Sequence, residues 1–286
     1  MTEYRPLLDH TGLDLDGADR ITYRIQQSFR YDYDAPVTSL RQRLVVVPPA
    51  RHGELYRRSH RVEVTGAATR RRVGRDAAGN KIVRFHAPRV ESSVEFRLSA
   101  IIERVRGDGP PAAVPTDPRL VLPTELTAAD DRLRDLAADL SGEQGLDLAD
   151  RICAETNAAI AYAPDVTTVE TTAAEALAGG QGVCQDQAHV MLALCHLVGL
   201  PARYVSGHLL GQGGTHAWVE VIVPSGDRAV AIPFDPCHNR RGDNRYVTVA
   251  TGRDYADVAP TSGSYIGAPG GRLTADREVG VIAIAA

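Results

Sequence analysis

Apolar and polar residues alternate through ITYRIQQSFRY, which puts Ile21, Tyr23 and Ile25 on one side. The same texture recurs in HRVEVTG, KIVRFHAP and VEFRLSAIIERV. A period of two sends successive side chains to opposite faces, so each segment predicts a strand with one buried face. RLVVVPP reads as a short buried strand stopped by Pro48 and Pro49. Polar turns separate these segments, notably Asp76-Ala-Ala-Gly79-Asn80. Residues 17–106 therefore predict an antiparallel β domain of sandwich or meander type, behind a loose lead-in over 1–16.

The period then changes. GDGPPAAVPTDP, residues 107–118, is dense in proline and reads as a linker. Beyond it the spacing predicts helices over 127–140 and 148–160. Thr172-Ala-Ala-Glu175 has the form of a capping box, opening a short helix that Gly179 and Gly180 end. From Cys184 onward, apolar residues at 188, 191, 192, 195 and 198 keep helical spacing until Gly199 and Pro201. Five strands follow, in ARYVSGHLL, HAWVEVIV, RAVAIPFD, YVTVATG and EVGVIAIA. Helices first and strands afterward predict an α+β domain with an antiparallel sheet over 119–286, rather than a βαβ parallel sheet.

Composition narrows the classes. With 43% hydrophobic residues, the 286-residue chain can bury a core, which excludes disorder. No apolar run approaches the ~20 residues of a membrane helix. The acidic start, MTEYRPLLDHTGLDLDGADR, lacks the apolar core of a secretory signal, so a cytoplasmic location is expected. A net charge of −4 argues against a nucleic-acid binder, and neither nucleic acid nor membrane is an expected partner. The charge is uneven, however. Residues 51–106 hold fourteen Lys/Arg against six Asp/Glu, with Lys81 the one lysine of the chain. That block reads first as the solvated face of an Arg-rich sheet, and second as a patch able to steer an acidic partner.

Four cysteines, Cys153, Cys184, Cys195 and Cys237, lack zinc-finger or CxxC spacing and are expected as free thiols. Cys195 and Cys153 read as core fillers. Cys184 differs, because it follows a glycine-rich turn and starts a helix. Unpaired N–H groups and the positive end of the helix dipole favour thiolate there and can hold a developing oxyanion. A nucleophilic thiol needs a base, and His216 opens the strand HAWVEVIV. The base needs an orienting carboxylate, and Asp235 closes the next strand. In an antiparallel hairpin the start of one strand neighbours the end of the next. His216 and Asp235 should therefore meet at one sheet edge, with the Cys184 helix tip packed against it.

The bland readings are a buried cysteine, a structural histidine and a turn-starting aspartate; the joint arrangement outweighs them. Asp186 reads as a cap, Trp218 as packing beside the site, and His189, His196 and His208 as structural. Cys237-His238 is too little for a zinc site. Gln181 and Tyr162 are conceivable helpers of an oxyanion hole.

At these residues the sequence resembles the bacterial transglutaminase-like superfamily. GQGVCQDQAHVMLALCHLVGLPARYVSGHLLG, HAWVEV and FDP match in order, flanked by ETTAAEAL and YVTVATGRDYADVAP. FRYDYDAPVTSLRQRLVVVPP resembles the amino-terminal β region of the same proteins. The resemblance implies a papain-like core and acyl transfer from a peptide or protein amide through a thioester. It assigns Cys184 as nucleophile, His216 as general base and acid, and Asp235 as orienting group, with no cofactor and no metal. The acceptor is an amine or water, with hydrolysis favoured because no amine site is readable. Gln187, His208 and Cys237 depart from residues common in relatives. Other readings are a non-enzymatic scaffold retaining the fold and binding a partner, an acetyl transferase on the same core and, last, nucleic-acid binding through the Arg-rich region.

Overall fold

The computed structural model describes residues 6–107, 109–110, 112–113, 117–140, 142–226, 228–268 and 270–285. Two sheets form an amino-terminal sandwich. One carries, in spatial order, strands Arg272–Ala285, Arg20–Asp32, Ser93–Val105, Leu55–Thr65 and Arg51–His52. The other carries Thr261–Ile266, Val37–Val47, Lys81–Val90 and Arg70–Arg75. All pairings within these sheets are antiparallel. The expected alternation sets the interior. Ile21, Tyr23, Ile25 and Phe29 of one sheet meet Leu40, Leu44, Val83 and Phe85 of the other in a single buried cluster.

Residues between the sandwich strands build the second unit. Its sheet runs Arg240–Arg241, Arg228–Asp235, His216–Ser225, Ala202–Leu209, Tyr246–Gly252, all antiparallel. Helices Asp131–Ala138, Gly145–Ala159, Ala173–Gly179 and Cys184–Leu197 pack on it. The capping box predicted at Thr172 forms reciprocally with Glu175, and Gly180 ends that helix at φ 64°, a conformation that favours glycine. Helix Cys184–Leu197 is central. Every residue from Gln185 to Cys195 is buried, so its apolar character runs around the cylinder rather than along one stripe. No helix among the described residues is long and apolar enough to cross a membrane.

The sequence reading assigned 119–286 to one domain, and here the structure differs. Strand Arg272–Ala285 pairs along the whole of Arg20–Asp32, and Thr261–Ile266 pairs with Val37–Val47. The last 25 or so residues are thus outer strands of the sandwich, and the helical unit is inserted between two parts of it. EVGVIAIA carries no mark of its partner, because period-two alternation reports a face and not a neighbour. Of the expected linker 107–118, residues 108, 111 and 114–116 lie outside the described residues; Ala112–Ala113 pairs with Ala229 and Val230. Strand Arg70–Arg75, just ahead of the Asp76–Asn80 turn, is one the alternation does not predict. It presents four arginines, and its hydrophobic signal is a single Val73.

The two units share side chains. Val45 and Ile82, on the outer face of the second sandwich sheet, join the core around helix Cys184–Leu197. Leu210 and Val247 of the inserted unit join the sandwich core.

Candidate active site

Cys184 is the first residue of its helix, after Val183 as N-cap. Valine cannot cap, and Asp186 does so instead. Its Oδ2 accepts from the Val183 N–H at 2.7 Å and from Thr167 Oγ1 at 2.7 Å. Asp186 is fully buried, and burial raises its carboxyl against those hydrogen bonds. Gly182 makes the arrangement possible, since a Cβ there would lie 2.7 Å from Asp186 Oδ2.

His216 begins the strand that packs against this helix, and its side chain is buried. Nε2 lies 2.7 Å from Asp235 Oδ2, which places the ring proton on Nε2. Nδ1 is left buried without a hydrogen-bond partner, and Cys184 is the thiol that interacts with the ring. Burial would hold the imidazole neutral. The hydrogen bond to Asp235, then the neighbouring Cys184 and the carboxylate charge, overcome it and raise His216 to about 9.

Asp235 is fully buried and heavily hydrogen-bonded. Besides His216, its Oδ2 accepts from Tyr246 Oη at 2.6 Å and from His238 Nδ1 at 2.7 Å. Oδ1 accepts from the Cys237 and His238 N–H groups at 2.9 and 3.3 Å. Burial works to raise this carboxyl, but the donors win and hold it at about 2. The network continues outward. With its Nδ1 proton given to Asp235, His238 accepts at Nε2 from the Gln212 amide, 3.0 Å away. On the inner side Trp218 stacks on His216, with ring centroids 6.1 Å apart, and meets Tyr246 edge-on at 5.3 Å. Trp218 is buried and packs the site, as its position on the strand predicts.

The structure thus brings Cys184, His216 and Asp235 together. Burial pushes the thiols of Cys153 and Cys237 up to about 12, and that of Cys195 higher still. Burial lowers His189, His196 and His208 to about 4, so all three are neutral packing groups at pH 7. Tyr162 is largely exposed, and the charges of Cys184 and Cys237 add to burial in raising it. Gln181 sits opposite Ala161 in the short parallel bridge beside Tyr162.

Two residues of the network escape a reading of the sequence. His238 sits in a Cys-His pair too small for a zinc site, yet a residue three past a turn-forming Asp can fold back onto its carboxylate, as His238 does. Tyr246 opens a strand separated from the one bearing Asp235 by two others in the sheet order, and nothing local marks it. His216, Asp235 and His238 place donor atoms within 4.8 Å of one another, a set chemically able to hold a metal ion. Their 2.7 Å contacts match shared protons, whereas zinc bonded at ~2.0–2.1 Å would spread such donors to about 3.3 Å.

Comparison with known proteins fits this geometry. A transglutaminase-like superfamily core matches residues 134–236, and a bacterial transglutaminase-like N-terminal region matches 23–103. Uncharacterised proteins of Mycobacterium bovis and Mycobacterium tuberculosis are each 31% identical over 291 residues, covering 88% of this chain and 89% of theirs. A crystal structure from Cytophaga hutchinsonii, described as a candidate cysteine protease, superposes with a TM-score of 0.76 at 20% identity. The match covers 93% of this chain and 92% of that one. The chain belongs to the transglutaminase-like superfamily, in the bacterial form that carries its own amino-terminal β region.

Proposed function

We propose that the protein is a cysteine-dependent amidase or peptidase working through a thioester on Cys184. The observation that carries this is the buried His216–Asp235 pair, whose ring interacts with the helix-tip thiol of Cys184. His216 Nδ1 carries the proton given up by the Cys184 thiol, the charged ring being held by Asp235, and Cys184 Sγ attacks the amide carbon of a peptide or protein substrate. The Cys184 N–H, at the helix start and without an intrahelical partner, meets the developing oxyanion. Collapse of that intermediate breaks the C–N bond, and His216 gives its proton to the departing amine. Water then attacks the thioester, yielding a proton to His216, and the carboxylic product leaves as the thiol is restored. An amine in place of water would give a cross-link by the same steps. Hydrolysis is favoured because no second, amine-binding site is readable around Cys184 among the described residues.

The test joins reactivity to turnover. Alkylation followed by mass spectrometry should label Cys184 ahead of Cys153, Cys195 and Cys237, and His216→Ala should slow that labelling about tenfold or more. Glutamine peptides and isopeptides should then be cleaved by the native protein and not by Cys184→Ala. Efficient amine incorporation would replace hydrolysis with transamidation. Equal labelling of all four thiols would remove the enzymatic reading and leave a partner-binding scaffold.

A further inference from the structure

The outer face of the second sandwich sheet carries a groove of about 730 Å³ that no residue of the Cys184 site lines. Its walls are Arg41, Arg43, Arg70, Arg72, Arg84 and His86, beside Ser262 and Ser264, and no Asp or Glu lines it. The cations are in register across the four strands. Ser264, Arg41, His86 and Arg70 form one row, and Ser262, Arg43, Arg84 and Arg72 the next. The same face changes character just beyond, where Val45 and Ile82 are buried against the helical unit.

Most other arginines here have a carboxylate at hand. In the neighbouring cavity, which shares Arg43, Arg119 pairs with Asp117, Arg203 with Glu220 and Arg253 with Asp257. In the groove, Arg41, Arg70, Arg72 and Arg84 are exposed and have no hydrogen-bond or ion-pair partner among the described residues. Guanidinium groups at neighbouring positions of one sheet repel each other, and like charges set opposite across strands, as Arg84 is to Arg43 and Arg72, are destabilising. A surface that retains this repulsion without internal compensation is complementary to an anion.

We propose that this groove binds an extended acidic peptide segment with Asp or Glu at alternate positions. Arg41 and Arg43, like Arg70 and Arg72, are two residues apart on their strands, a repeat of about 6.7 Å. Alternate carboxylates of an extended chain have the same repeat, and each fits a guanidinium fork. A peptide fits better than a nucleic acid because the groove exposes no Phe, Tyr or Trp ring for bases to stack on: Phe85 is buried. The net charge of −4 opposes a long polyanion further.

Binding of a fluorescent (Glu-Ala)6 peptide, followed by anisotropy in the Cys184→Ala protein, tests this apart from any turnover. The expected result is binding that a (Gln-Ala)6 peptide does not show, that weakens as salt rises, and that Arg72→Glu/Arg84→Glu reduces at least tenfold. Arg30→Glu, on the other sheet, should leave it unchanged. Should the double reversal misfold by circular dichroism, Arg72→Gln/Arg84→Gln replaces it with the same expectation. Equal binding of the Glu and Gln peptides, no binding of either, or tighter binding of a single-stranded oligonucleotide than of the acidic peptide would overturn the proposal.

Discussion

His216 is a buried imidazole whose environment pulls two ways. Desolvation favours the neutral ring, and the Asp235 contact favours the charged one and prevails. The result is measurable. By NMR, His216 should titrate near pH 9, and Asp235→Asn should lower it, because burial is then opposed only by the neighbouring Cys184. The same shifts set a stability profile. His216, raised on folding, contributes stability that is full below about pH 6.5 and lost as pH rises through 9. Asp235, lowered on folding, contributes stability present above about pH 3.8 and lost as pH falls toward 2. The thermal midpoint should therefore drop on both sides of neutrality, and Asp235→Asn should flatten the alkaline fall. These positions were legible because each marks the end of an element: a helix start, a strand start, a strand end. His238 and Tyr246 were not, since their roles depend on a turn's exact shape and on a partner strand far along the sheet.

At the level of elements, the strand Ala202–Leu209 shows how close packing fixes the site. A Cβ on Gly207 would come within 2.4 Å of both the Trp218 ring and the Val247 carbonyl oxygen. Trp218 in turn supports the His216 ring. Gly207→Ala should cost about 1–3 kcal/mol in chemical denaturation by overpacking, and should slow Cys184 alkylation because the imbalance passes through Trp218 to His216. Unchanged reactivity in a destabilised variant would separate the two effects. Element type followed from period here, and most helices and strands stand close to where spacing puts them. The exceptions are physical. Arg70–Arg75 is an edge strand held by pairing with Lys81–Val90 instead of by burial, so it has little apolar pattern to read. Thr261–Ile266, rich in small polar residues, is likewise exposed and escapes for the same reason.

Over the whole molecule, the strand Arg272–Ala285 is a structural partner of Arg20–Asp32. Deleting residues 272–286 would leave that strand as a bare edge on a sheet whose inner face holds Ile21, Tyr23 and Ile25. Such a truncation should lower the melting midpoint and increase light scattering on heating, although it removes no residue near Cys184. A truncated protein that melts and scatters like the full chain would contradict this. Domain order was harder to see than domain type. Composition located the Pro-rich crossing at 107–118, but the return crossing near Pro260 has only a short loop, whose Pro260 carbonyl accepts from the Val45 N–H.

Those two crossings have a mechanical consequence. A body held to another by two chain crossings has fewer ways to move than one held by a single crossing. The inserted unit is tethered by the chain on either side, and Val45 and Ile82 wedge into it from the sandwich. Any motion between the halves of this protein therefore works against two chain crossings and against the side chains that each core takes from the other, Val45 and Ile82 on one side, Leu210 and Val247 on the other.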